Sequence, residues 1–245
     1  MTFRQKFTVG VLLPTCNEAE VIAEVVENYI QTLSEIRYEF MIHIEDANSS
    51  DGTKEILGEL KKKYPTVLQV YFHPVRDGFK SALQRLLANA TEDWLFIADS
   101  DGQYFERDII RHLEKVRMGY DFVKGIKTKR ADSYLRKFLS LALTKYLICR
   151  TGLVNLDFNS SHYMIKRDLA KRFLTNELKF KYSINVEITL LAYLSEAKCA
   201  VVEIRHKPRT EGFSRGNPPL KIVSYGVQTV LDFERFFNAF KKSKS

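Results

Sequence analysis

Apolar positions in the first hundred residues follow two alternating rhythms. Residues 7–13 (FTVGVLL) form a continuous apolar run, as expected of a strand buried on both faces. Residues 18–33 instead place Val21, Ile22, Val25, Val26, Tyr29 and Ile30 on one helical face. The alternation continues, with predicted strands at 39–44, 67–72 and 94–98 and predicted helices at 54–63 and 80–90. Strands and helices joined by short connections predict a mostly parallel sheet covered by helices on both faces. Such sheets bind ligands beyond the carboxyl ends of their strands. Later in the chain, 182–194 reads as a helix carrying Glu187. Residues 220–240 read as an amphipathic helix with Ile222, Val223, Val227, Val230, Leu231, Phe233, Phe236 and Phe237, followed by Lys241, Lys242 and Lys244.

Composition adds exclusions. The 245 residues are 45% hydrophobic with 11 Gly and 6 Pro, which excludes a disordered or collagen-like chain. Cys16, Cys149 and Cys199 form no C-x-x-C, pointing to a reducing compartment and away from a disulfide framework or zinc site. The apolar run 9–13 is too short for a signal-peptide core. Residues 138–149 are interrupted by Ser140, Thr144 and Lys145, short of the roughly 20 residues a spanning helix needs. A cytoplasmic protein is expected. The five histidines (43, 73, 112, 162 and 206) have no ligand spacing and read as structural.

Charge is unevenly placed. The formal net charge is +8, and residues 124–150 hold eight basic side chains and one acid. Residues 203–245 hold nine basic side chains and four acids, so the remainder is acidic overall. The basic stretches suit an anionic partner, or are solvated helix faces. A nucleic-acid module is disfavoured, since no RRM, KH or zinc-finger signature is present.

Polar clusters fall at the predicted strand ends: Pro14-Thr15-Cys16-Asn17-Glu18, Glu45-Asp46-Ala47-Asn48-Ser49-Ser50-Asp51-Gly52, and Asp99-Ser100-Asp101-Gly102-Gln103. No G-x-G-x-x-G, G-x-x-x-x-G-K-[ST] or H-E-x-x-H is present, which argues against a nicotinamide dehydrogenase, a P-loop NTPase and a zincin. Ser50, Asp51 and Thr53 read best as a helix cap or Asx turn. Two carboxylates at the end of an apolar strand need a cation or donors. With Gln103 they offer hard oxygens suited to Mg²⁺ or Mn²⁺. A plain Asp-Ser-Asp-Gly turn is the alternative.

Taken together, Pro-Thr-x-Asn-Glu, Asp-x-x-Ser-Ser-Asp-Gly-Thr and Asp-x-Asp-Gly-Gln resemble the inverting GT-A glycosyltransferases of family 2. The Asp-x-Asp-x-Gln form and the late Arg209-Thr-Glu-Gly-Phe-Ser214-Arg215 resemble its dolichyl-phosphate mannosyltransferase-like, polyprenyl-phosphate glycosyltransferase branch. The resemblance implies a GT-A (Rossmann-like) α/β domain over residues 1–217, with the amphipathic helix and basic tail at 218–245. It implies that Pro14, Thr15, Glu18, Asp46, Arg76, Lys80 and Asp99 bind the nucleotide. Asp99, Asp101 and Gln103 would hold Mg²⁺ or Mn²⁺. Arg209 and Arg215 would meet the diphosphate, with Asp101 and Arg209 catalytic. Ala47 stands where the family commonly has a second acid, and Asn48 where Gly is usual.

Lys127 and the pair Arg136 and Ser140 match the family's acceptor-phosphate elements, with Lys129 and Arg130 as alternates. Asp157-Phe158-Asn159-Ser160 partly matches another motif, with Ser161-His162 in place of Gly-Phe. A phosphomonoester acceptor is already anionic and needs no general base, unlike a sugar hydroxyl. The resemblance therefore implies transfer of a hexose from a nucleotide sugar, GDP-mannose or a UDP-sugar, to polyprenyl or dolichyl phosphate. The reaction would take place at the cytoplasmic membrane face, with peripheral membrane contact or a membrane-protein partner and without nucleic acid. Alternatives are a family-2 enzyme acting on a saccharide hydroxyl, a silent transferase, and a non-enzymatic basic binding module. The C-terminal helix either packs on the domain or meets anionic lipid through its Phe side chains and Lys tail.

Overall fold

The computed structural model describes residues 7–128, 134–175, 178–207 and 219–244, without the side chains of 134–137, 175, 219–222 and 243–244. Its first half alternates as the apolar rhythm predicts: β1 (Val9–Thr15), α1 (Ile22–Glu35), β2 (Phe40–Ala47), α2 (Thr53–Lys63), β3 (Leu68–His73), α3 (Phe79–Asn89) and β4 (Trp94–Ile97). A 3-10 turn, Glu106–Asp108, leads into α4 (Ile109–Arg117) and β5 (Phe122–Lys127). Then follow α5 (Tyr134–Thr151), β6 (Tyr163–Lys166), α6 (Arg167–Thr175), α7 (Ile184–Leu194), β7 (Cys199–Ile204) and α8 (Pro219–Lys244).

These strands form one seven-stranded sheet in the order β3-β2-β1-β4-β6-β5-β7. All neighbours are parallel except those of β6, which runs antiparallel between β4 and β5. Alternating side chains serve the two faces. Val9, Val11, Leu13 and Phe96 pack under α1, α2 and α4. Leu12, Leu95 and Ile97 pack under α3, α6 and α7. This is the α/β GT-A arrangement, a mostly parallel sheet flanked by helices.

A third apolar cluster joins α5, α7 and α8 through Leu147, Phe158, Phe180, Val186, Leu190, Phe233 and Phe237. This decides between the two readings of the terminal helix for two of its rings. Phe233 and Phe237 of the terminal helix are buried in the protein and cannot meet lipid. The outward stripe is Val223, Val227 and Leu231, each four residues from the last, because the packed face of α8 takes the bulkier rings. Among the described residues, no helix is long and apolar enough to cross a membrane.

Candidate active site

Strand register assembles the site. Thr15 lies opposite Asp46, and β4 is in register with β1 up to Leu12–Ile97. Just beyond, the Ser100 hydroxyl donates to the Pro14 carbonyl at 3.1 Å, so the three polar clusters meet at one edge of the sheet. The first two interlock through backbone donors. Asn17 N–H reaches Ser49 Oγ at 2.7 Å, Ser50 N–H reaches Asn17 Oδ1 at 2.8 Å, and Glu18 N–H reaches Thr53 Oγ1 at 2.9 Å. Asp51 Oδ1 accepts from Thr53 N–H at 3.2 Å, the Asx turn expected for that segment. Asn48 has φ +57°, the left-handed conformation that Asn tolerates better than most residues. A glycine-like position is thus met without glycine.

Asp46 is fully buried. Its Oδ2 accepts from Ser49 N–H at 3.1 Å, while Oδ1 has no hydrogen-bond partner among the described residues. An orphaned buried acceptor calls for a donor, as a nucleoside base or ribose supplies. The neighbouring Cys16 thiol is raised by burial, an effect opposed by the nearby Arg76 charge. The Arg76 segment is tied down by Arg85 of α3, whose guanidinium bonds Asp77 at 2.6 Å and Glu45 of β2 at 2.9 Å. Arg85 in turn holds the Asp77 carboxyl below its ordinary range. Lys80, expected to bind the nucleotide, donates its ammonium to the carbonyls of Leu178 and Phe180 at 2.7 and 2.8 Å, bracing that segment.

After β4 the chain turns at Gly102, with φ +69°, a conformation that favours glycine. Asp101 Oδ1 accepts from Gln103 N–H at 3.1 Å, and Gln103 Nε2 donates to Lys207 O at 3.4 Å. Asp99, Asp101 and Gln103 are all partly exposed. Among the described residues, no three His, Cys, Asp or Glu side chains form a complete metal shell. Two carboxylates and an amide oxygen nevertheless fit an ion that takes its remaining ligands from substrate phosphates and water.

A cation stands beside the acidic turn. Lys127 Nζ lies 5.3 Å from the Tyr104 ring centroid, next to the acidic turn. Ser140 is half-buried on α5. The side chain of Arg136 and the whole of Lys129, Arg130, Arg209, Ser214 and Arg215 lie outside the described residues. The segment leading toward Arg209 leaves β7 with Lys207 N–H bonded to Gln103 O at 2.7 Å.

Two residues emerge only in three dimensions. Ser161, in the turn just before β6, donates its hydroxyl to Asp99 Oδ2. Lys124 of β5 is fully buried and donates to Ser160 O at 2.5 Å. Burial pushes its ammonium down to about 7, against the pull of Asp157. The sequence signal was a lysine inside the apolar run FVKGIK and a serine where glycine is usual.

A mostly parallel sheet with polar and acidic loops meeting at its carboxyl edge is the GT-A arrangement. The family model described as glycosyl transferase family 2 matches residues 10–176, and the chain belongs to that family. Solved structures agree on the fold. Mannosyl-3-phosphoglycerate synthase from Rubrobacter xylanophilus superposes with a TM-score of 0.71 at 17% identity, covering 96% of this chain and 75% of that one. Glucosyl-3-phosphoglycerate synthase from Mycobacterium tuberculosis gives a TM-score of 0.62 at 22% identity, covering 93% and 80%. A structure of the latter enzyme with Mn²⁺, UDP-glucose and phosphoglyceric acid gives a TM-score of 0.63 at 21% identity, covering 93% and 78%.

Proposed function

We propose that this protein is an inverting, Mg²⁺- or Mn²⁺-dependent transferase that moves a hexose from a nucleotide sugar to polyprenyl phosphate. The observation that carries this reading is the juxtaposition of Asp99, Asp101 and Gln103 with Lys127 across Tyr104. One wall suits a cation on the donor diphosphate, and the other suits an acceptor phosphate. The buried Oδ1 of Asp46 and the Thr15–Glu18 loop bind the nucleoside. Asp99, Asp101 and Gln103 hold the metal, which supplies charge stabilisation to the departing diphosphate when bound. Arg209 and Arg215 are assigned to the same diphosphate. Lys127, Arg136 and Ser140 orient the acceptor phosphate, whose oxygen is already anionic near neutral pH and attacks without a general base.

The lipid acceptor is supported by what surrounds Ser140. On the helix that carries Ser140, Phe138 and Leu141 are 67% and 53% exposed, an apolar surface that suits a prenyl chain. The second reading, a phosphorylated three-carbon acid as acceptor, is favoured by the phosphoglycerate synthases among the structural neighbours.

Purified protein incubated with labelled GDP-mannose, UDP-glucose and related donors, Mn²⁺, and either a short polyprenyl phosphate or 3-phosphoglycerate separates the two. A lipid-linked product supports the proposal, and a product with phosphoglycerate alone overturns the lipid acceptor. Asp101→Ala is expected to lower turnover by roughly a hundredfold or more.

A further inference from the structure

Because β6 is antiparallel, its first residues sit beside the carboxyl ends of both neighbours: Tyr163 pairs with Ile97 of β4 and with Lys124 of β5. The turn before it, residues 157–161, is held from β5. Lys124 Nζ donates to Ser160 O at 2.5 Å and to Phe158 O at 3.4 Å, and it lies 4.6 Å from the Tyr163 ring centroid. Gly125 N–H donates to His162 O at 2.8 Å, and a Cβ at 125 would stand 2.7 Å from that oxygen. The approach therefore requires glycine. Within the turn, Ser160 N–H donates to Asp157 O at 3.2 Å. So held, the turn delivers the buried Ser161 hydroxyl to Asp99 Oδ2.

We propose that Ser161 is a specificity-determining residue of the metal site and that Lys124 is its positioning residue. The hydroxyl engages Asp99 Oδ2, so a cation gripped through both oxygens of Asp99 would share that oxygen with the hydrogen bond. A one-oxygen carboxylate suits the octahedral shell of Mg²⁺ or Mn²⁺. Ca²⁺ takes six to eight oxygens and gains from a carboxylate that binds through both. Ser161 would thus disfavour the larger ion by competing for the second oxygen. The inference rests on the metal-dependent reading above.

Mn²⁺ binding to the full chain, followed by electron paramagnetic resonance, and its displacement by Mg²⁺ or Ca²⁺ provide the test without any turnover assay. In the native protein Mg²⁺ is expected to displace Mn²⁺ at lower concentration than Ca²⁺ does. In Ser161→Ala and Ser161→Gly, Ca²⁺ is expected to gain on Mg²⁺ by roughly fivefold, the scale of one typical net hydrogen bond. In an Asp99→Asn background the same serine substitutions are expected to change nothing further, since coupled residues are non-additive. Lys124→Met is expected to shift the ratio in the same direction with circular dichroism unchanged. If it does not fold, the two serine variants decide. An unchanged ratio in both serine variants, or an equal shift without Asp99, overturns the inference while leaving the metal reading intact. Absence of Mn²⁺ binding by the native protein overturns the metal reading itself, and this inference with it.

Discussion

His112 is a fully buried titratable side chain away from the proposed chemistry. Its ring packs against Phe96 and His162, with centroids 5.0 and 5.1 Å away, and Nδ1 bonds the Asp108 carbonyl at 3.0 Å. Burial pushes its pKa down to about 4 from 6.5, with the Asp108 interactions opposing. A histidine depressed in the native state binds its proton more readily when unfolded. Its contribution is therefore fully present above pH 6.5 and is lost as pH falls toward about 4. The expected loss attributable to His112 is on the order of 3 kcal/mol over that interval. Urea unfolding at pH 7 and pH 5 checks it, with His112→Gln expected to show the shallower pH dependence. A spacing argument reads this histidine correctly as structural but says nothing of its titration, because the desolvation comes from α4 packing over β4.

At the scale of elements, residues 178–181 are clamped by three helices. Lys80 of α3 takes two carbonyls of the segment. Glu187 of α7 accepts from Lys179 N–H at 2.6 Å and Phe180 N–H at 2.9 Å, and Asp232 of α8 accepts from Lys181 N–H at 2.8 Å. Both Glu187 oxygens are thereby used, and burial raises its pKa. This is a structural carboxylate serving a loop with few backbone partners of its own. Glu187→Gln turns an amide N–H toward one of those donors and is expected to cost about 1–3 kcal/mol of stability. Thermal melts beside donor-saturation kinetics check the assignment. A stable variant with a collapsed kcat would mean that Glu187 takes part in the chemistry. The helical period of 182–194 was legible, but the target of the carboxylate was not, since the bonded segment lies outside the helix.

At the scale of the whole molecule, charge and apolar exposure gather on one helix pair. Tyr146 and Arg150 bond Glu234, and Arg150 lies over Phe237, so α5 and α8 pack against each other. Within α5 there are four basic residues and no acid, and within α8 five basic residues and two acids. Those two acids, Asp232 and Glu234, are bonded inward to Lys181 and Arg150. The outward residues include Phe138, Leu141, Val223, Val227 and Leu231 together with Lys145 and Arg235. Apolar side chains among cations match an anionic lipid surface. Vesicles containing phosphatidylglycerol are expected to co-sediment the protein, and Val227→Glu with Leu231→Glu is expected to lower that binding by roughly tenfold without lowering Tm. Equal sedimentation of native and variant protein would refute the surface.

The linear chain by itself determined the strand–helix alternation and the polar clusters at the strand ends. Both are written in local periods and short polar runs: 7–13 and 94–98 as buried strands, Asp99-Ser100-Asp101 as the acidic turn. What it could not determine was the partnering of distant segments. The insertion of β6 between β4 and β5 brings Ser161 to Asp99 and seals Lys124 inside the fold. The burial of Phe233 and Phe237 leaves valine and leucine facing outward on α8. A residue's own neighbours specify its element, but the partner of an antiparallel strand and the packed side of a terminal helix depend on total buried surface. Only the folded chain settles that.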